Sequence, residues 1–464
     1  MIKSRARAAI KPMKHQTLSL AHDKTTPIVF DMSDPGTGKT AVRIWAWAER
    51  RRKGGGCLLV LAPRSLLRAA WANDFAKFAP GMKVSVATAD NRAAAFAEDA
   101  DVYITNHDAV KWLTTLKPAQ LAKFSELCVD EAEAFKHHTS QRARAALRLS
   151  RLKHIKRKSV LTATPTSNGI CDIWHLVLLL DGGQRLGPLF FNFRSTVCTP
   201  EQVGANAHAV KWHDKPGAEE AVFGLISDIV VRHKFEDCVD IPATHQYTVD
   251  YELTPKQRKL YETMELTQLL PLLQGKNLSL TAVNAAAVAT KLLQICSGAV
   301  YTEGGKYQLI DSARYEAIID MAAERKHPLV FFFWQHQRDA LIAEAEKRGM
   351  TYAVIDGESS DTERITVVNA YQRGVYDVLF AHPKSAAHGL TLTAGNSIIW
   401  TGPTYDLSWF KQGNRRQARI GQKSKTEIIV CLAKDSIEER VYHDILMAKD
   451  ARMGNLLDLF GNWK

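Results

Sequence analysis

At 464 residues, 46% hydrophobic and 24% charged, the chain is too long for one ordinary core and too evenly composed for wholesale disorder. Its formal net charge of +12 suggests a polyanionic partner, most simply nucleic acid, although a merely soluble basic protein carries the same balance. The seven cysteines (57, 128, 171, 198, 238, 296, 431) form no C-x-x-C pair, which argues for reduced thiols and against zinc or a disulfide frame.

Residues 1–14 are basic and have no apolar core, so they do not read as a secretory signal. The apolar run 28–30 predicts a strand, and 41–49 an amphipathic helix. Between them lies Asp34-Pro35-Gly36-Thr37-Gly38-Lys39-Thr40, a Gly-rich turn in strand-turn-helix context. Such a turn cradles phosphates. Gly36 and Gly38 let N–H groups approach the oxygens at the positive end of a helix dipole. Lys39 can then reach β/γ-phosphates, and the Thr40 hydroxyl can ligate Mg²⁺. The usual first Gly of G-x-x-x-x-G-K-T is Ser33 here.

Further strands are predicted at 57–62, 84–87, 102–105, 127–129 and 159–161, with helices at 65–78 and 140–149. Gly54-Gly55-Gly56 reads as a turn. This alternation indicates a parallel sheet covered on both faces. Asp130-Glu131-Ala132-Glu133 closes the strand at 127–129. A carboxylate at a strand's carboxyl end beside a phosphate loop suits Mg²⁺ (Asp130), and its neighbour Glu131 suits polarising a water. An acidic strand-to-helix turn is also common on any surface. Thr162-Ala163-Thr164-Pro165 ends the next strand, where Thr162 and Thr164 can relay the state of a phosphate by hydrogen bonds or simply cap a turn.

Alternation breaks from about Gly182 to Cys238, consistent with an insertion, and Asp240-Ile241-Pro242 reads as a boundary. A second series of strands is predicted at 246–253, 329–334, 352–355, 378–380, 397–400 and 427–432. The apolar runs 176–180 and 329–334 are too short to span a membrane. Near the end, Gln412, Arg415, Arg416 and Arg419 precede Ile420-Gly421-Gln422. Arg416 and Arg419 share a face if they lie on one helix, where they suit arginine fingers or a solvated basic helix end.

Together these motifs resemble the Swi/Snf-type branch of superfamily-two helicases, the family of chromatin remodellers and their bacterial and phage relatives. The likeness runs from about Lys11 to about Asp444. Lys14-His15-Gln16 is similar to the family's leading motif, implying that Gln16 reads adenine. Residues 33–40 match its first motif, which does not require the initial Gly. That implies nucleotide binding by Asp34, Gly36, Thr37, Gly38, Lys39 and Thr40.

Pro63-Arg64-Ser65-Leu66-Leu67, with Trp71 and Phe75, resembles P-K-S-L-L-x-x-W. Ile104-Thr105-Asn106 resembles the next motif, so Arg64, Ser65 and Thr105 are implied nucleic-acid contacts. Asp130-Glu131-Ala132-Glu133 stands for D-E-A-H and Thr162-Ala163-Thr164-Pro165 for T-G-T-P. Arg232, Lys234 and Pro242 resemble the exit from the first lobe. Asp356-Gly357 and Arg364 match I-D-G…R.

His388-Gly389-Leu390-Thr391-Leu392 matches G-x-G-L-N-L, implying a nucleotide contact at Gly389 and a nucleic-acid contact at Thr391, with Lys384 nearby. Residues 412–422 closely resemble Q-x-x-D-R-x-x-R-I-G-Q, giving Gln412 a coupling role. Glu133 stands in place of the family's coupling His, and Ala163 and Arg415 in place of Gly and Asp.

The resemblance implies an α/β protein of two RecA-like doubly wound parallel-sheet lobes with an ATP cleft between them. An ATP-binding lobe is expected at 1–182, a helical insertion and linker at 183–242, and a helicase lobe at 243–464. The length leaves no room for a bromodomain or chromodomain, so a minimal cytoplasmic motor of bacterial or phage type is expected. Its implied activity is DNA-stimulated ATP hydrolysis with Mg²⁺, driving movement on duplex or branched DNA. Catalysis falls to Lys39, Asp130, Glu131, Arg416 and Arg419. The alternatives are an RNA helicase of the related D-E-A-D type and an ATP-holding nucleic-acid clamp without turnover.

Overall fold

Short continuous apolar runs make strands that are buried on both faces, and this chain builds two sheets from them. The computed structural model describes residues 10–202, 210–269, 278–302, 304–386 and 390–458. The strands run, in chain order, β1 Ile28–Asp31, β2 Cys57–Ala62, β3 Val84–Ala87, β4 Val102–Asn106, β5 Phe124–Val129 and β6 Arg157–Leu161. They continue as β7 Cys198–Gln202, β8 Val210–Asp214, β9 Val230–Val231, β10 Thr244–Tyr251, β11 Ala299–Tyr301 and β12 Tyr307–Leu309. The last are β13 Leu329–Phe331, β14 Tyr352–Ile355, β15 Val378–Ala381, β16 Ser397–Trp400 and β17 Thr426–Ala433. The chain divides into one unit of Met1–Val197, Pro216–Asp240 and Met453–Lys464, and another of Cys198–Lys215 and Ile241–Arg452.

The first unit holds a seven-stranded sheet in the order β3-β4-β2-β5-β6-β1-β9. Every neighbouring pair is parallel. Leu58 and Val60 of β2 enter a core with Ile44, Trp47, Trp71 and Phe75, from the helix Lys39–Arg52 and the segment after β2. The intervening Leu59 and Leu61 are equally buried, so both faces are covered, as a parallel sheet requires. The helix Ile173–Asp181, buried along Ile173–Leu180, supplies apolar cover. Ser140 caps the helix Gln141–Ser150 by accepting from Ala143 N–H at 3.2 Å.

A charge clamp joins helix to sheet. Asp23, on the helix Lys14–Thr25, takes Arg43 at 2.7 Å and Arg50 at 2.6 Å, and Arg50 also grips Glu126 of β5 at 2.6 Å. Burial pushes the Asp23 carboxyl up, but the Arg43 and Arg50 charges outweigh it and leave the group below the ordinary carboxylate value.

The second unit holds a six-stranded parallel sheet, β10-β17-β16-β13-β15-β14. The helices Ala313–Ala323 and Gln335–Lys347 pack Tyr315, Ile318, Ile319 and Leu341 onto Val330, Phe380, Ile399 and Ile429. Arg314 and Glu438 form a buried pair at 2.9 Å. These two doubly wound parallel sheets are the expected fold class. Among the described residues no helix is long and apolar enough to cross a membrane.

Three local expectations change. The helix at 65–78 is instead a 3₁₀ turn at Arg64–Leu66, a π-helical stretch at Leu67–Ala72 and an α-helix at Asn73–Phe78. The strand expected at 329–334 stops at Phe331, because Gln337 Oε1 accepts from the N–H groups of Phe333 and Trp334 at 2.7 and 3.2 Å and starts a helix there. The stretch 183–242 is shared out: the antiparallel pair β7–β8 groups with the second unit, while β9 extends the first sheet beside β1.

Candidate nucleotide site

The order β5-β6-β1-β9 sets the loops that follow β1, β5, β6 and β9 side by side at the carboxyl ends of the strands, where open α/β sheets bind ligands. After β1 the backbone turns with Ser33 N–H on Asp31 Oδ1 at 3.0 Å. It passes through Gly36 (φ 89°) and Gly38 (φ 83°) into the helix Lys39–Arg52. A Cβ on Gly36 would meet the Phe235 ring at 2.9 Å, and one on Gly38 would meet Gln16 Nε2 at 2.3 Å. Both glycines are needed for conformation, and Gly36 also for space against the Phe235 ring. The helix start therefore presents unsatisfied N–H groups and its positive end, with Thr40 half-buried in its first turn. Lys39 Nζ folds back on the Ser33 and Asp34 carbonyls at 2.7 and 3.1 Å.

The segment after β9 laces this loop down. His233 N–H donates to Ser33 Oγ at 3.1 Å, and Asp34 N–H to His233 O at 3.0 Å. The Asp34 carboxylate takes Phe235 N–H at 2.9 Å and Arg232 at 3.0 Å. Asp34 thus braces the loop through its side chain. The Gln16 amide is likewise engaged, accepting from Met13 N–H at 2.9 Å and donating to Thr37 O at 3.2 Å. His15 Nε2 reaches the same Thr37 carbonyl at 2.8 Å, so this ring nitrogen carries the proton. His233 Nε2 pairs with Ser19 Oγ at 2.8 Å, and burial pushes its pKa down. Motif reading assigned no role to His15, Ser19, His233 or Phe235. For His233 and Phe235 the signal was weak, a short stretch two hundred residues away, because β9 is only two residues long.

Asp130 follows β5 and is buried. Its Oδ2 accepts from the Trp71 indole at 2.8 Å, and its Oδ1 from Glu131 N–H at 3.0 Å. Burial raises this carboxyl, against the Trp71 hydrogen bond and the Lys39 charge, which lower it. His107 Nε2 donates to the Asp130 carbonyl at 2.8 Å, and burial pushes His107 down to about 4, so the ring is neutral at neutral pH. Glu131 has a left-handed backbone (φ 46°), an uncommon state for a residue with a side chain and one enriched at functional sites. Glu133 Oε2 accepts from Thr162 Oγ1 at 2.7 Å and Thr164 Oγ1 at 2.9 Å, so the loops after β5 and β6 share one carboxylate oxygen.

A hard cation with a triphosphate fits this donor set. Mg²⁺ takes oxygen ligands, few of them from protein, and Thr40 and Asp130 are oxygen donors that follow β1 and β5, two strands apart in the sheet.

In the second unit the helix Leu407–Asn414 ends before Arg416 and Arg419, which lie in the turns that follow. They do not share a helix face. Their guanidiniums meet instead on one acceptor, with Arg416 Nη1 at 3.2 Å and Arg419 Nη1 at 2.8 Å from Leu390 O. Arg416 Nε also donates to Gln412 O at 2.7 Å. Gln412 is buried, its Nε2 on Ser408 Oγ at 3.2 Å and its Oε1 without a partner among the described residues. Gly389 and His388 lie outside the described residues.

Of the implied nucleic-acid residues, Arg64 and Lys384 are exposed, and Ser65 and Thr391 half-buried. Thr105 is a correction. It is fully buried within β4 and its hydroxyl donates to Ala87 O at 2.9 Å, so the side chain belongs to the sheet.

The SNF2-related domain model matches residues 18–298, and the helicase conserved C-terminal domain model matches 313–421. Protein p41 of Acyrthosiphon pisum secondary endosymbiont phage 1 is 28% identical over 425 residues, covering 88% of this chain and 89% of that protein. An uncharacterized ATP-dependent helicase of Mycoplasma pneumoniae is 26% identical over 429 residues, 88% of this chain and 38% of that protein. The chain therefore spans well under half of the mycoplasma helicase. Among solved structures, the Sulfolobus solfataricus SWI2/SNF2 ATPase core in complex with dsDNA aligns over 98% of this chain and 96% of that one, at TM-score 0.44 and 20% identity.

Proposed function

This chain belongs to the SNF2-related family, and from that premise we propose that it is an ATP-driven translocase on DNA. The observation that carries the reading is the strand order β5-β6-β1, which gathers Lys39, Asp130, Glu131 and the Glu133–Thr162–Thr164 link on neighbouring loops of one sheet.

In this reading Lys39 and the N–H groups from Gly36 to Thr40 hold the phosphates, with Lys39 Nζ leaving the Ser33 and Asp34 carbonyls to do so. Thr40 and Asp130 would hold Mg²⁺, which would supply charge neutralisation to the triphosphate, and Glu131 orients a water and takes its proton. Arg416 and Arg419 are the arginine fingers, and Gln412 positions Arg416 through its carbonyl. Glu133 reports the state of the site to Thr162 and Thr164. Arg64, Ser65, Lys384 and Thr391 grip the phosphate backbone, and the net charge of +12 supports sequence-independent, salt-sensitive binding.

The test is ATP turnover without nucleic acid and with duplex, branched or single-stranded DNA or RNA, beside Lys39→Ala. Stimulation by duplex or branched DNA, lost in Lys39→Ala, is expected. Stimulation by RNA alone, or no turnover with any of them, overturns the reading. Strand separation, annealing and branch migration are then assayed on the DNA that stimulates.

A further inference from the structure

Three N–H donors converge on Asp130, and two of them travel far in sequence to do so. Trp71 comes from the π-helical stretch Leu67–Ala72 that follows Arg64 and Ser65, and its indole donates to Oδ2 at 2.8 Å. His107 comes from the loop after β4, and its ring donates to the main-chain carbonyl at 2.8 Å. Glu131 N–H takes Oδ1 at 3.0 Å. With one N–H on each oxygen, the carboxylate cannot turn about its last bond without losing a hydrogen bond. Each oxygen still keeps lone-pair capacity for a cation or its water.

Satisfying a buried indole does not require a carboxylate. Trp47, in the same core, gives its N–H to the Gly56 carbonyl at 3.3 Å. π-helical turns are rare and concentrate at functional sites, and this one delivers the indole to the carboxylate.

We propose that Trp71 and His107 are positioning residues that fix Asp130 for Mg²⁺, the first at its carboxylate and the second at its peptide carbonyl. Through Trp71, the hold on the metal is tied to the segment carrying Arg64 and Ser65. The inference rests on the nucleotide and nucleic-acid reading above. It adds that the metal carboxylate and the phosphate-gripping segment share one hydrogen bond.

The test measures binding of N-methylanthraniloyl-ADP to the full chain in Mg²⁺ and in EDTA, with and without duplex DNA. Trp71→Phe keeps an aromatic ring and removes the donor. It should lose about 10-fold of the tightening that Mg²⁺ confers, the usual scale for an outer-shell partner, while binding in EDTA holds. His107→Leu should act in the same direction, and His107→Gln, which retains an N–H donor, should restore most of the effect. In wild type, duplex DNA should alter the Mg²⁺-dependent affinity, and in Trp71→Phe it should not.

Phe75→Leu serves as a control for packing. Its ring lies 6.2 Å from that of Trp71 and 5.8 Å from that of Trp47. A phenyl side chain has no N–H or O–H to donate, so this substitution disturbs the core around Trp71 without removing a donor from Asp130. An undiminished Mg²⁺ effect in both Trp71→Phe and His107→Leu, or an equal loss in Phe75→Leu, overturns the positioning role. Absence of nucleotide binding by wild type in either buffer overturns the nucleotide reading, and the positioning role falls with it.

Discussion

The main-chain N–H of His233 donates to the hydroxyl of Ser33 at 3.1 Å, joining the Gly-rich loop after β1 to the segment after β9. Ser33 occupies the position where such loops usually begin with Gly, so the departure brings an acceptor that Gly lacks. Both residues are buried, and Ser33→Gly would strand the His233 N–H. A loss of about 1–3 kcal/mol in unfolding free energy is expected, measured by urea denaturation. An unchanged midpoint would show that the hydroxyl is dispensable.

Glu133 stands where the family's coupling His is usual, and its Oε2 takes both Thr162 and Thr164 hydroxyls. Glu133→Ala should therefore reduce the stimulation of ATP turnover by DNA by about 5- to 150-fold, the range of ordinary coupling free energies. Glu133→Gln retains a carbonyl acceptor and should fall between. Equal stimulation in wild type and Glu133→Ala would remove Glu133 from the coupling path.

Glu131→Gln should lower ATP turnover by about 10²–10⁴-fold if Glu131 acts as the general base. Arg419→Ala should cost about 10³-fold or more if it is a finger. It is the cleaner of the two arginines to test, because Arg416 is buried and also holds Gln412 O at 2.7 Å. Near-wild-type turnover in Arg419→Ala would withdraw that assignment.

The Asp23 clamp makes a pH-dependent contribution whose sign follows from the lowered carboxyl. A group depressed on folding stabilises fully above its unfolded value and loses that contribution as pH falls through its folded value. Asp23→Asn leaves the buried Arg43 guanidinium without the negative charge that faces it at 2.7 Å. A loss of about 3–5 kcal/mol is expected at neutral pH. The gap between variant and wild type should close as pH drops below about 4, near the unperturbed Asp value. Urea midpoints across pH decide this, and a gap independent of pH would refute the ionic account.

Much of the fold was legible in the sequence. Strands expected at 84–87, 352–355 and 397–400 match β3, β14 and β16, because short, mostly apolar runs bounded by turns read as strands. Legibility failed where an apolar run met a distant or non-helical partner. Phe332 to Trp334 look like strand, yet the Gln337 side chain claims two of their N–H groups. Arg416 and Arg419 have helical spacing, yet the helix stops at Asn414 and a carbonyl from another loop brings them together.

The sequence by itself determined which chemistry-bearing groups this protein owns and in what order they come: a Gly-rich loop ending in Lys-Thr, an acidic pair, a hydroxyl pair and a late pair of arginines. Motif spacing is local, and local chain geometry is enough to read it. Only the tertiary structure decided how those groups use their hydrogen-bonding capacity. Asp34 braces Arg232, Thr105 serves its sheet, Glu133 binds two threonines and Trp71 holds Asp130. Those partners lie far apart in the chain and meet only because the strand order makes their loops neighbours, and strand order is a property of the whole sheet.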